Sequence, residues 1–387
     1  MFSADEYAQM RAFFADRPEL TATPLRELPA LARDLGIGRL FAKDESGRFG
    51  LNAFKLLGAR FAVETLLKEG AIRPGATLVC ASEGNHGRAV ARAARDAGCA
   101  ARVYMAHDAS PSRVNAIAGE GAEVIKVDGS YDDAVRIMQA EADKNRWTIV
   151  SDTAWEGYER IPRLIMLGYT RLLDEVREQG AGPSTSSGPG RAESRGGNGE
   201  PAAFDFIFVQ GGVGGLLCAM ASWCAFHRPF DRLRPAPSEV EGRSEPHPRV
   251  VAVEPTSAAC LQASARAGTP VAVTGPLTTT MAGLRNREVS PPAFISLLPN
   301  VAAFMAIDDG WSNEATRALG RPRGEDPAIA AGSSGAAALG GLLALCRDQS
   351  LAEARARLGL SSSSRVLAIV SEGVTDPDVW RTAIAAR

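Results

Sequence analysis

From about residue 37 onward, short β-branched or apolar runs alternate with longer stretches of helical periodicity, and few architectures accommodate that alternation. Strand, helix and strand in succession fold most readily into a parallel sheet with helices on its faces. "ATLVCAS" (76–82), "ARVYMA" (101–106) and "AEVIKV" (122–127) read as strands, followed by helical segments near 86–97, 110–120 and 130–144. A second series follows: "FDFIFVQ" (204–210), "RVVAVE" (249–254), "AFMAID" (303–308) and "RVLAIV" (365–370). Two series predict two sheets, and so an α/β chain of two lobes with a cleft between them. With 387 residues, 45% of them hydrophobic, the chain can fill two cores.

Residues 180–201 and 228–249 break the pattern. Both are rich in Pro, Gly, Ser and charge, with too little apolar content to offset the entropy of ordering them, so flexible surface insertions are expected there. Loops tolerate such length at small cost.

The formal net charge of -2, from 43 basic and 45 acidic residues, implies no polyanionic partner, and no nucleic-acid motif is present. No apolar run approaches the roughly 20 residues of a membrane helix. The opening stretch "MFSADEYAQMRAFFADRPEL" carries early acidic residues and lacks a basic segment followed by an apolar one, so a cytoplasmic location is expected. Six cysteines (Cys80, Cys99, Cys218, Cys224, Cys260 and Cys346) show no metal-ligand spacing; free thiols and no metal are expected.

Three short stretches carry chemistry. In "GLNAFKLLG" (50–58), Asn52 is a candidate N-cap that would put Lys55 in the first turn of an apolar helix, at the wrong end of the helix dipole for a cation. A snorkelling lysine and a functional amine both fit. "QGGVGGLL" (210–217) follows a strand and opens a helix, so Gly211, Gly212, Val213, Gly214 and Gly215 can present backbone N–H groups to a phosphate, or simply make a tight turn. The spacing is not GxGxxG, and Glu254 alone hints at a dinucleotide ribose ligand. "CASEGNHGRAV" (80–90) also joins strand to helix; Ser82, Gly84, Asn85 and Gly87 suit a carboxylate or a ring hydroxyl, while His86 reads as a structural histidine or a catalytic one.

Together these stretches resemble the pyridoxal-phosphate enzymes of fold type II, tryptophan synthase beta-like, and more narrowly the diaminopropionate ammonia-lyase family. The resemblance runs through "KDESGRFGLNAFKLLGARFA" (43–62), "SEGNHGRAVARAA" (82–94), "YDDAVR" (131–136), "SDTAWEGYERIP" (151–162), "VAVEP" (251–255), "TMAGL" (280–284), "GEDPAIAAGSSGA" (324–336) and "SEGVTD" (371–376). It implies two lobes, each a mostly parallel sheet flanked by helices. A large cofactor-binding domain would comprise 1–56 and 166–387, and a small domain 57–165.

The resemblance further implies that Lys55 carries pyridoxal 5'-phosphate as a Schiff base, that Asn85 bonds its ring hydroxyl, that Gly211 to Gly215 hold its phosphate, and that Ser371 faces its ring nitrogen. A neutral hydroxyl at that nitrogen favours elimination over prolonged carbanion storage. Asp152 and Glu83 would be the acid–base pair, with Ser82, Gly84, His86 and Asp152 contacting substrate. The expected reaction is α,β-elimination of 2,3-diaminopropionate to pyruvate and ammonia, by a homodimer acting on a small amino acid. Three positions depart from the family pattern: Glu83 for an aspartate, Ser333 for a glutamate and Val374 for an aspartate. They leave open a dehydratase or ammonia-lyase for another β-substituted amino acid, such as a 3-hydroxy one. A non-catalytic pyridoxal-phosphate binding protein is the remoter alternative, and a pure binder has no use for a base at Asp152.

Overall fold

A computed structural model describes residues 2–82, 84–180, 204–227 and 248–385. Most of both predicted insertions, and Glu83, lie outside the described residues.

Ten strands are present among them: β1 (Leu25–Glu27), β2 (Arg39–Asp44), β3 (Thr77–Ala81), β4 (Ala100–Ala106), β5 (Glu123–Val127), β6 (Thr148–Ile149), β7 (Phe206–Gln210), β8 (Arg249–Pro255), β9 (Ala303–Ile307) and β10 (Arg365–Val370). They form a six-stranded sheet of order β1-β2-β10-β7-β8-β9 and a four-stranded sheet of order β5-β4-β3-β6. Only β1 runs antiparallel, against β2. The seven strands expected from β-branched runs are all found, and the two-lobed parallel α/β architecture with them. Strands β1, β2 and β6 went unpredicted: β1 and β6 have three and two residues, and β2 carries Arg39, Lys43 and Asp44.

Both faces of each sheet are covered, as parallel sheets require. Along β7, Ile207 and Val209 pack with the helix Gly215–Phe226, whereas Phe206 and Phe208 pack with the helix Ser333–Arg347. In the small sheet, Leu78 and Cys80 face the helix Asn85–Asp96, and Val79 faces Ala134 and Met138 of the helix Tyr131–Asn145. This period of two is what a strand buried on both sides must show.

The segment leading to Lys55 is held by charge buried under the large sheet. Lys43 Nζ donates to Glu175 Oε2 and to the carbonyl of Thr23, both at 2.6 Å. Arg48 pairs with Glu45 and with both oxygens of Glu175. All four side chains are fully buried. The backbone then turns through positive φ at Phe49 (52°) and Asn52 (58°), and Gly373 N–H closes onto the Asn52 carbonyl at 2.8 Å. The helix Lys55–Lys68 packs closely on the helix Arg160–Tyr169: a β-carbon on Gly58 would lie 2.5 Å from the Ile165 carbonyl oxygen.

Candidate active site

Parallel strands align their carboxyl ends, and ligands of such sheets bind where those ends meet. Here β3 delivers Ser82, β6 is followed by Asp152, β7 delivers Gly211 and β10 delivers Ser371. Lys55 begins its helix beside them, but not as its presumed cap would place it. The N-cap is Phe54, and Asn52, in a left-handed conformation, lies outside the helix.

Of the five lysines in the chain, Lys68, Lys126 and Lys144 are exposed and Lys43 is consumed by Glu175. Lys55 alone is half-buried, its side chain 24% exposed. Its Nζ lies 2.6 Å from Asp152 Oδ2 and over the rings of Phe54 and Tyr169, 5.1 and 5.7 Å from their centroids. His86 Nδ1 is 3.7 Å from the same Asp152 oxygen, and its Nε2 is 2.8 Å from the Val150 carbonyl. Burial opposes ionisation of Asp152, yet neighbouring positive charge holds its carboxyl well below the ordinary range. That charge comes from His86 and Lys55, while burial pushes His86 itself below the ordinary imidazole range.

Two bridges bring the other predicted residues to this pair. Phe54 N–H donates to the Ser371 carbonyl at 3.3 Å, and Gln210 Nε2 donates to Ser371 Oγ, joining the Lys55 turn to the end of β7. Ser290 donates its N–H to the Val213 carbonyl at 2.9 Å and accepts the Ala154 N–H on its hydroxyl at 3.2 Å, joining the glycine loop to the Asp152 turn. Asn85 opens its helix with the side-chain amide bonded to Glu372 Oε2. Burial pushes the Glu372 carboxyl up, against the opposing pull of Ser334 and Asn85.

Ser82 has a structural part as well as the expected one, and its own hydroxyl hydrogen is left to donate. Its Oγ accepts the N–H groups of Gly87 at 3.0 Å and Gly84 at 3.3 Å, tightening the strand-to-helix turn. The hint of a ribose ligand at Glu254 fails: its carboxylate accepts the N–H groups of Leu261 and Gln262, both at 2.8 Å, and so caps a helix. Gln210, Ser290, Ser334 and Glu372 were not anticipated as site residues. Gln210 and Glu372 sat inside motifs already singled out, next to the glycines and to Ser371, but the two serines had no local signal.

The arrangement fits pyridoxal phosphate. Among the described residues, none accepts the N–H groups of Gly212, Val213, Gly214 or Gly215, the donors a phosphate needs. Gly214 has φ 97°, and a β-carbon there would lie 3.1 Å from Leu297 Cδ1, so only glycine leaves this cradle open. Gln210 Oε1, His86 Nδ1 and Ser333 Oγ are buried without a partner. Buried polar atoms left unpaired are costly, and a polar ligand would satisfy them.

Comparison with known proteins agrees with this geometry. Residues 17–372 match the family described as pyridoxal-phosphate dependent enzyme. The chain is 34% identical to the diaminopropionate ammonia-lyase of Escherichia coli strain K12, over 99% of this chain and 92% of that protein. A crystal structure of the Escherichia coli enzyme in complex with an aminoacrylate–pyridoxal-phosphate azomethine reaction intermediate superposes with a TM-score of 0.83 at 32% identity, covering 99% of this chain and 92% of the other. A crystal structure of that enzyme in complex with D-serine gives a TM-score of 0.82 at 32% identity, covering 99% and 93%. The chain therefore belongs to the pyridoxal-phosphate dependent enzymes, in the diaminopropionate ammonia-lyase family.

Proposed function

We propose that this chain catalyses α,β-elimination of 2,3-diaminopropionate, with the overall balance of one substrate and one water giving pyruvate and two ammonia. The observation that carries the reading is the Lys55 amine, 2.6 Å from the Asp152 carboxylate, with the neighbouring Phe54 N–H bonded to Ser371 and the Asp152 turn bonded through Ser290 to the glycine loop. Lys55 would hold the cofactor's aldehyde carbon, the glycine loop its phosphate and Asn85 its ring hydroxyl. When bound, pyridoxal phosphate supplies the conjugated system that takes up the electron pair left by the departing α-proton.

The residues of the chain do the rest. Asp152, kept ionised, accepts a proton at Oδ2 and can pair with the substrate's β-ammonium, which leaves as ammonia. Glu83 supplies the second carboxylate. Ser371 Oγ already accepts from Gln210, so its hydrogen is left to donate to an unprotonated ring nitrogen. His86, tethered to the Val150 carbonyl, supports the Asp152 side chain and can present Nδ1 to the substrate. Ser82 and Gly84 shape the turn over which the substrate carboxylate lies.

The division into a large domain (1–56 and 166–387) and a small one (57–165) belongs to the same reading, supported by the confinement of each sheet to one of them. So does a cytoplasmic homodimer; Ile295, 75% exposed, and Leu298, 42% exposed, offer it an apolar surface.

A β-hydroxy amino acid is the second reading, favoured by the D-serine bound to the Escherichia coli relative and by the serine hydroxyl at position 333. Pyruvate release from a panel of β-amino and β-hydroxy amino acids tests both. Fastest turnover of diaminopropionate supports the first, fastest turnover of serine supports the second, and no release from either overturns the lyase.

A further inference from the structure

The turn that carries Asp152 has little sheet to hold it. β6 has two residues, Thr148 and Ile149, paired with Leu78 and Val79 of β3. Past it, the Val150 N–H still reaches the Val79 carbonyl at 2.8 Å, and from there side chains satisfy the backbone. His86 Nε2 lies 2.8 Å from the Val150 carbonyl, and Tyr158 takes the groups on either side of it. The phenol donates to the Ile149 carbonyl at 2.9 Å and accepts the Ser151 N–H at 2.9 Å. Backbone groups withdrawn from water need such partners, and one hydroxyl here serves two of them, the second on the residue next to Asp152.

Tyr158 is itself fixed. Its ring stacks on Trp155, with centroids 4.1 Å apart and planes 15° apart, and the two residues exchange backbone hydrogen bonds at 3.3 and 2.8 Å. Gly157 closes the turn between them at φ 80°. Burial pushes the phenol well above its ordinary range, so it stays protonated and keeps its donor. The helix Arg160–Tyr169 begins two residues later, and the Lys55 helix packs against it at Gly58. Both partners of the 2.6 Å pair, Lys55 Nζ and Asp152 Oδ2, therefore take their places from one helix, the carboxylate through Tyr158.

We propose that Tyr158, braced by Trp155, is a positioning residue that sets the Asp152 carboxylate against the Lys55 centre by clasping the backbone on both sides of Val150. The proposal rests on the lyase reading, in which Asp152 moves a proton. Such a transfer is steep in distance: misplacement of about 1 Å can cost on the order of 100-fold.

Tyr158→Phe keeps the ring and its stack and removes both hydrogen bonds. In the full-length holoenzyme it should lower kcat about 10- to 100-fold for the diaminopropionate stereoisomer whose turnover Asp152→Asn stops, with KM within about threefold and the other isomer within about twofold. In the Asp152→Asn background the same change should cost less than about twofold, because a residue acting through a carboxylate has nothing to act on once it is gone. A merely structural residue would lower both isomers alike and add its loss to that of Asp152→Asn.

Independently of turnover, the pH midpoint of the holoenzyme's visible absorption reports the charge beside the Lys55 nitrogen, and it should fall in Tyr158→Phe as in Asp152→Asn. Trp155→Leu, which frees the phenol without removing it, should give a smaller loss with the same isomer selectivity, and decides the question if the phenylalanine variant does not fold. Equal losses on the two isomers, additive losses in the double variant, or an absorption midpoint that moves in Asp152→Asn but not in Tyr158→Phe would each overturn the proposal. A wild-type chain that releases no pyruvate from either isomer would sink the lyase reading and leave the absorption midpoint to decide what Tyr158 does.

Discussion

Lys55 Nζ and Asp152 Oδ2, 97 residues apart in sequence, lie 2.6 Å apart. The pair is a half-buried ion pair, with the carboxylate also 3.7 Å from a histidine whose pKa burial lowers. The carboxylate fixes where the Lys55 nitrogen stands, the positioning that a lysine acting as a nucleophile requires.

The first prediction follows from that pairing. Borohydride reduction of the holoenzyme should fix the cofactor to the peptide containing Lys55, and Lys55→Ala should abolish both the adduct and turnover. Lys43 is the informative control, because its amine is fully buried against Glu175 and the Thr23 carbonyl. Label recovered on Lys43 would refute the assignment.

A second prediction concerns the charges that hold the Lys55 turn. Glu175→Ala leaves Lys43 and Arg48 buried with one carboxylate, Glu45, between them. Breaking a buried pair by removing one partner costs about 3–5 kcal/mol. At roughly 2–4 °C per kcal/mol for larger domains, the thermal midpoint should fall on the order of 10 °C. Calorimetry of Glu175→Ala beside Glu353→Ala, an exposed pair with Arg357, makes the comparison. Equal shifts in the two variants would deny the cluster its structural role.

Glu254 gives a pH signature. Burial pushes its carboxyl up to about 7 from the ordinary 4.5, against two backbone N–H bonds that favour ionisation. A folded value above the unfolded one means folding favours the protonated form, so its stabilisation is complete below about pH 4.5 and is lost as pH rises through 7. A shift of this size corresponds to about 3 kcal/mol at most. The wild-type midpoint, relative to Glu254→Gln, should therefore decline by several degrees between pH 5 and 8. Parallel curves for the two proteins would show that the carboxyl is ionised throughout.

What sequence made legible, and what it hid, divides along physical lines. β7, β8 and β10 were readable because a strand buried on both faces must be a continuous apolar run. β2 was hidden because Lys43 and Asp44 read as surface residues; the partner that permits Lys43 to be buried, Glu175, lies 132 residues away. The cap at Asn52 was misread because a local rule assumes extended backbone, and this asparagine takes a left-handed turn instead. Gly211 to Gly215 announced an anion loop by composition alone. Ser290, which clamps that loop to the Asp152 turn, could not be found without the fold, since a lone serine before two prolines carries no signal. Lys55 and Asp152 were brought together beforehand only through resemblance to a family.

The last prediction separates the two carboxylates and so tests the reaction itself. Asp152 is held ionised 2.6 Å from Lys55, and Glu83 follows Ser82 in the sequence; on the proposed reading each serves one face of the substrate. Removing one acid–base group costs on the order of 100-fold or more, so Asp152→Asn should largely abolish turnover of one diaminopropionate stereoisomer and Glu83→Gln mainly that of the other. Glu83→Asp is the sharper variant, because it withdraws the carboxylate by one methylene and misplacement of about 1 Å can cost on the order of 100-fold. If diaminopropionate is the native substrate, its kcat/KM should fall or change little in Glu83→Asp. If a β-hydroxy amino acid is native, the shortened side chain should gain on diaminopropionate and lose on serine. Equal, small effects of all three substitutions on every amino acid tested would take both carboxylates out of the mechanism and leave Lys55 as the base.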